Sequence, residues 1–234
     1  MKKRFGIIGY GRFGTLWAQC LAPYGKVFVY DEKFAAKKKP RELSSGVTTA
    51  MLADAVAVDM VFLAVPISAF AECCHRIASL LPLTTIVVDV CSVKVYPAEI
   101  MLEALPANQP IIATHPLFGP DSVALLGLAG RRIALCPLRA GKKEITEVKK
   151  LFIALQLDIV ETTPDEHDRQ MARSQALVHL LGRSFADLHL TDQPISTPDY
   201  QSLRKIDTLV NNDTWQLFFD MQRYNPYTAN MRKT

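Results

Sequence analysis

The sequence lacks several features, and each absence excludes a class of protein. No apolar run reaches membrane-spanning length. No long basic block is interleaved with aromatics, so the net charge of +4 does not point to nucleic acid. There is no internal repeat and no low-complexity tract. The five cysteines, Cys20, Cys73, Cys74, Cys91 and Cys136, include no C-x-x-C spacing, and their number is odd. Most lie in apolar runs and read as buried free thiols, which suit a reducing cytoplasmic setting and no metal site. Met1 to Phe5 resembles the start of a signal peptide, but the apolar stretch behind it is broken at once by Gly9, Gly11, Arg12 and Gly14, so no targeting segment is expected. What is present is a globular composition: 49% hydrophobic residues can bury a core, and 21% charged residues are too few for a disordered chain.

Short apolar runs alternate with amphipathic stretches through the first two-thirds of the chain. Strands are expected at 4–8, 26–30, 60–65, 85–90, 111–114, 132–135 and 157–160, with helices at 13–21, 67–81 and 142–155. Strands apolar on both faces and separated by helices imply a parallel sheet covered on both sides. The pattern changes at Thr163. Thr163-Pro164-Asp165-Glu166 reads as an N-cap, a first-turn proline and a capping box, opening a helix expected to run to about Leu190. Two further helices are expected at 200–210 and 214–224. The fold class is therefore α/β: a Rossmann-type, mostly parallel sheet over residues 1–162, then a small all-helical domain over residues 163–234. So small a helical unit must pack on the sheet or on a second copy of the chain, and a homodimer is expected.

Gly9-Tyr10-Gly11-Arg12-Phe13-Gly14 is a G-x-G-x-x-G between the first strand and the first helix, the context that separates a dinucleotide fingerprint from a plain glycine-rich turn. Gly9 permits the tight turn, Gly11 the close approach of a pyrophosphate, and Gly14 close helix–strand packing. Arg12 and Phe13 lie inside the motif. Asp31, 17 residues after Gly14 at the end of the second strand, can accept hydrogen bonds from ribose hydroxyls and would repel a 2′-phosphate, which favours NAD. Lys33 and the run Lys37, Lys38, Lys39 keep NADP open. Val65 and Pro66 end a strand at the crevice, either lining the cofactor's path or only stopping the strand.

Two strand-end loops carry polar residues where open α/β sheets bind ligands: Asp89-Val90-Cys91-Ser92-Val93-Lys94 and Thr114-His115-Pro116-Leu117-Phe118-Gly119-Pro120. A neutral His115 there could take a proton from a substrate hydroxyl as hydride leaves; it could equally be a buried structural histidine. Ser92 could hydrogen-bond the same hydroxyl or His115, or cap a helix. Gln175 and His179, four apart, share one face of the long helix, where buried polar groups need partners that a polar ligand or water could supply. His75, His167 and His189 read as surface or packing residues.

These motifs together resemble the prephenate and arogenate dehydrogenases of tyrosine biosynthesis, and most closely the plant-type arogenate branch. The resemblance is carried by the glycine motif, by 89–94, by Thr114 to Ser122, by Glu166-His167-Asp168, by Ser174 to Arg183 and by Pro194 to Tyr200. It implies an oxidoreductase using NAD(P) for oxidative decarboxylation of a cyclohexadienol. In that reading His115 is the base, Ser92 is its neighbour on the hydroxyl, and His179 holds substrate. A C-terminal arginine, best matched by Arg204 and then Arg223, meets a substrate carboxylate. Arg173 stands where that branch has a small residue. Competing readings are another Rossmann reductase, such as a hydroxyacid dehydrogenase or imine reductase, and a regulator that binds NAD without turnover. The first usually places a lysine on the long helix, and none occurs between Thr163 and Leu190. The second gives no reason for Ser92 and His115 to occupy strand-end loops.

Overall fold

The computed structural model describes residues 3–35, 40–186 and 188–233; Met1, Lys2 and the run Lys37, Lys38, Lys39 lie outside the described residues. A nine-stranded sheet organises the first two-thirds. It is built from β1 (Lys3–Ile8), β2 (Gly25–Tyr30), β3 (Glu42–Ser44), β4 (Val47–Thr49), β5 (Met60–Leu63), β6 (Ile86–Asp89), β7 (Ile111–Pro116), β8 (Arg132–Arg139) and β9 (Asp158–Glu161). The strand order is β3-β4-β2-β1-β5-β6-β7-β8-β9. The pairings of β4-β2-β1-β5-β6-β7 and of β8 with β9 are parallel, whereas β3–β4 and β7–β8 are antiparallel. β3 and β4, three residues each, were not expected from the sequence because neither carries an apolar run.

The strands bury both faces by simple alternation. Phe5 and Ile7 of β1, Met60 and Phe62 of β5, Ile86 and Val88 of β6 and Ile112 of β7 point into one core. Ile8, Val61, Leu63, Val87, Ile111 and Ala113 point into the other. Helix α1 (Arg12–Leu21) covers the first core with the fully buried Trp17, which packs edge-on to Phe62 and Phe152. The second core is closed by α3 (Leu52–Val56), after the short α2 (Glu32–Ala35), and then by α4 (Phe70–Ala78) and α5 (Val95–Ala104). α6 (Pro120–Leu126) and α7 (Lys142–Ala154) complete this part. After β1 the chain winds one way to β2 and β4, then returns to the other side of β1 at β5. The crevice at the carboxyl ends of β1 and β5 is therefore the topological switch point, the place where such sheets bind ligands.

The remainder is helical: α8 (Pro164–Arg173), α9 (Gln175–Ala186), α10 (Pro198–Asn211), α11 (Trp215–Tyr224) and α12 (Thr228–Met231). The single helix expected from Thr163 to Leu190 is two. Ser174, at φ −120° and ψ −83°, leaves the helical region, and its hydroxyl donates to the Gln170 carbonyl at 2.8 Å, a local bond that competes with the helical ladder. The Thr163 cap is present, with its hydroxyl oxygen accepting from Glu166 N at 3.3 Å. The capping box is not: the Glu166 carboxylate accepts from Gln170 Nε2 instead. α9 and α10 pack so closely that a Cβ on Gly182 would lie 2.8 Å from Val210 Cβ. No helix among the described residues is long and apolar enough to cross a membrane.

Candidate active site

A cleft of about 920 Å³ opens at the switch point and extends to the helical segment. Its lining brings together Gly9, Gly11, Arg12, Phe13, Asp31, Val65, Pro66, Ser92, His115, Gln175 and His179. Gly14 stays behind the lining: a Cβ there would sit 2.1 Å from the Gly9 carbonyl oxygen, so its missing side chain lets α1 press on the loop. Gly9 holds φ +97° with the Ala64 carbonyl 2.5 Å from where a Cβ would be, which only glycine tolerates. A Cβ at Gly11 would meet nothing within 4 Å. Gly11 is also the N-cap of α1 and offers no capping side chain, so the first-turn N–H groups are left for a ligand. An open cradle over an uncapped helix start fits a dinucleotide pyrophosphate.

Asp31 ties this loop to β2. Its carboxylate accepts from Tyr10 N at 2.6 Å and from Lys33 N at 3.0 Å. Lys33 Nζ lies 3.9 Å from the same carboxylate and 5.2 Å above the Tyr10 ring. Arg12 crosses the cleft mouth. It donates to both carboxylate oxygens of Asp121 at 2.7 Å, to the Asn212 carbonyl at 2.7 Å, and to Asp213 at 3.3 Å. One side chain of the glycine motif thus bridges the first turn of α6 and the helical segment.

His115 ends β7 and is 3% exposed. Its Nδ1 lies 2.9 Å from Nε2 of His167, whose own Nδ1 lies 2.8 Å from Asp168 Oδ1. Asp168 also accepts from Lys94 N at 2.7 Å and Val95 N at 2.9 Å. Burial holds the His115 imidazole well below the usual histidine range, with His167 and Lys94 adding to the effect. Burial likewise lowers His167, partly offset by its bond to Asp168. Beneath this chain Lys94 Nζ pairs with Asp89, both fully buried, and Asp89 further accepts from Thr114 N and Cys91 N at 3.0 Å. His167, expected from the sequence to be a surface or packing residue, is 3% exposed and bonded to His115. Nothing in a sequence separation of 52 residues signals that contact.

Ser92 lines the cleft beside His115 but makes no hydrogen bond to it among the described residues. Nor does it cap α5, whose N-cap is Lys94. His179 is 8% exposed, and its Nδ1 is buried without a hydrogen-bond partner. Burial first, and Arg183 second, lower its pKa to about 4. The nearest carboxylate, Asp213, is 3.9 Å from Nε2, too far for a hydrogen bond. Asp213 is itself raised by burial. Asp220, 3% exposed, accepts from Ser68 N at 3.0 Å and from Gln216 Nε2 at 2.7 Å, docking α11 on the segment after β5.

The structure places Arg204, expected to meet a substrate carboxylate, away from this cleft. Arg204 stands outside the cleft lining, and its guanidinium donates to Asp192 at 2.8 Å and to Gln201 at 3.1 Å. Arg223 lies over Tyr224 and also outside the lining. Arg173 lines a separate hollow with Arg169 and Tyr227. The cations that do line the cleft are Arg12 and Arg76, the latter paired with Glu32 and donating to the Tyr30 hydroxyl at 3.0 Å.

With this geometry in place, the family model for the prephenate dehydrogenase nucleotide-binding domain matches residues 18–161, more than half of the chain. The chain belongs to the prephenate dehydrogenase family. A second model, the TYRAAT1-like C-terminal domain, matches residues 184–234. Arogenate dehydrogenase 1, chloroplastic, of Arabidopsis thaliana is 28% identical over 95% of this chain and 36% of its own length. The chain spans about a third to a half of the length of these curated relatives. Among solved structures, prephenate dehydrogenase from Aquifex aeolicus in complex with hydroxyphenyl propionate and NAD+ superposes with a TM-score of 0.73 at 19% identity, over 99% of this chain and 85% of that one. Synechocystis arogenate dehydrogenase gives 0.68 at 16% identity, over 98% and 88%. These last two likenesses speak to the fold.

Proposed function

We propose that the chain is an NAD-dependent dehydrogenase that oxidatively decarboxylates prephenate or arogenate. The observation that carries this reading is the continuity of one cleft, from the uncapped start of α1 to His115, Ser92, Gln175 and His179. The relatives' names and the Aquifex complex with NAD+ support the same reading. Gly9, Gly11 and the first turn of α1 would hold the pyrophosphate, Asp31 would accept from the adenosine ribose, and Val65 and Pro66 would line the path to the nicotinamide. When bound, NAD supplies the oxidant that accepts hydride from the ring carbon bearing the hydroxyl. His115, neutral at pH 7 because burial lowers its pKa, takes the hydroxyl proton. Ser92 orients that hydroxyl, and Gln175 and His179 hold the rest of the ring. Carbon dioxide leaves as the bonding pair closes the aromatic ring, so the protein's task is chiefly alignment.

We assign residues 1–162 to cofactor binding and 163–234 to substrate binding and dimer formation. Val178 and Leu181 of α9, Leu203 of α10, and Trp215 and Phe219 of α11 leave between 39% and 57% of their surface exposed, an apolar face suited to a second copy. The five unpaired thiols suit a reducing compartment such as the cytoplasm. A reductase of the imine or hydroxyacid type fits less well, because α8 and α9 carry no lysine. The test is turnover of prephenate, arogenate and a panel of hydroxyacids with NAD and NADP. Turnover of one cyclohexadienol with a higher kcat/KM for NAD is expected. Turnover of hydroxyacids alone overturns the substrate class, and a clear NADP preference overturns the role of Asp31.

A further inference from the structure

We propose that His167, held by Asp168, is a positioning residue that fixes which nitrogen of His115 carries the proton and leaves Nε2 as the base facing the cleft. The inference deepens the reading of His115 as the base and rests on it. A carboxylate only accepts, and both oxygens of Asp168 already receive backbone N–H groups, from Lys94 at 2.7 Å and Val95 at 2.9 Å. Asp168 is thereby pinned 2.8 Å from His167 Nδ1, which must carry hydrogen. A neutral imidazole has one N–H, so His167 Nε2 is a lone pair. It faces His115 Nδ1 at 2.9 Å, and His115 Nδ1 must then donate. The ring centroids are 5.0 Å apart with the planes at 68°, a separation compatible with a bond between the two ring edges.

The opposite assignment sets a lone pair of His167 against a carboxylate at 2.8 Å between side chains almost sealed from water. No neighbour among the described residues compensates for it. Lys94, the cation in this region, turns its Nζ to Asp89. In that opposite form His115 would show an N–H to the substrate hydroxyl, whose oxygen could only accept from it, and no base would exist. In the assigned form a proton taken at Nε2 leaves the imidazolium one hydrogen bond from His167 and two from Asp168. The charge is then balanced by an anion outside the cleft.

The test combines nitrogen NMR of histidine-labelled protein with kinetics on two variants. His167→Gln keeps an acceptor near the position of Nε2, whereas His167→Phe keeps ring bulk and removes it. In the unmodified protein His115 Nδ1 should be protonated and Nε2 not. His167→Phe should shift His115 toward the Nε2–H form and lower kcat by about 10²-fold or more, with KM and NAD affinity within about threefold. His167→Gln should keep the tautomer and stay within about tenfold in kcat. An Nε2–H form in the unmodified protein, or an unchanged tautomer in His167→Phe, overturns the proposal. So does a parallel loss of kcat and melting temperature in both variants. The NMR result needs no substrate. An expected tautomer in a protein that turns over no cyclohexadienol would therefore overturn the dehydrogenase reading and leave the positioning role standing.

Discussion

Replacing His179 with Gln should flatten the acid limb of the protein's stability. His179 is buried, its Nδ1 has no partner, and its folded pKa is about 4 against an ordinary value of 6.5. The sign follows from linkage. A folded pKa below the unfolded one means that the unfolded chain binds the proton more tightly. The contribution of neutral His179 is complete above about pH 6.5 and is lost as pH falls toward about 4. The gap of about 2.5 pH units corresponds to a ceiling of about 3.4 kcal/mol, at 1.36 kcal/mol per unit. Between about pH 7.5 and about pH 4.5 the loss is about 2.5 kcal/mol. Urea unfolding of both proteins at those two pH values measures it. His115 and His167, also lowered by burial, are present in both proteins, so their contributions cancel in the difference. The variant should lose about 2–3 kcal/mol less than the unmodified protein on acidification. Equal losses, within about 0.5 kcal/mol, would show instead that His179 is solvated or paired in solution.

His115→Asn should lower kcat by about 10²–10⁴-fold while NAD affinity persists, since His115 lies on a different loop from the glycines; near-normal turnover in a stable variant removes it from the mechanism. Because the base must be neutral and burial lowers its pKa, kcat/KM should fall with acidity only through a value below 6.5, as a pH profile will show. Gly14→Ala places a Cβ 2.1 Å from a backbone oxygen that has little room to move, so a loss of about 1–3 kcal/mol in urea unfolding and weaker NAD binding by titration are expected. Light scattering should give twice the chain mass, and Phe219→Glu should yield the monomer; a monomeric unmodified protein at micromolar concentration would contradict the dimer.

Much of the sheet was legible because apolar runs such as Met60 to Leu63 are buried on both faces, and such runs announce themselves without alternation. The first strand, the glycine turn and α1 were legible together because each restricts the next. β3 and β4 were not, since three-residue strands carry too little pattern to distinguish them from loop. The break at Ser174 was missed because apolar spacing continues across it, while a single hydroxyl decides the backbone. At the site, Ser92, His115, Gln175 and His179 could be picked out as polar residues where the pattern demanded apolar ones or a strand end. His167 could not. Its value comes from a contact between the end of β7 and the first turns of α8, and only the folded chain makes that contact. Arg204 was chosen by resemblance without a local signal, and its carboxylate partner within the chain is Asp192.

Lys94 touches the two parts of the chain with two different groups: Nζ reaches Asp89 at the end of β6, and its backbone N–H reaches Asp168 on α8. The parts are therefore not interchangeable modules. A foreign helical tail grafted after β9 would have to bring its own carboxylate to that N–H, or leave the loop beneath His115 without its outer anchor. Substitutions at Asp89 and Asp168 share this residue, so their effects will not add, and the sheet and the tail can drift in sequence only as partners.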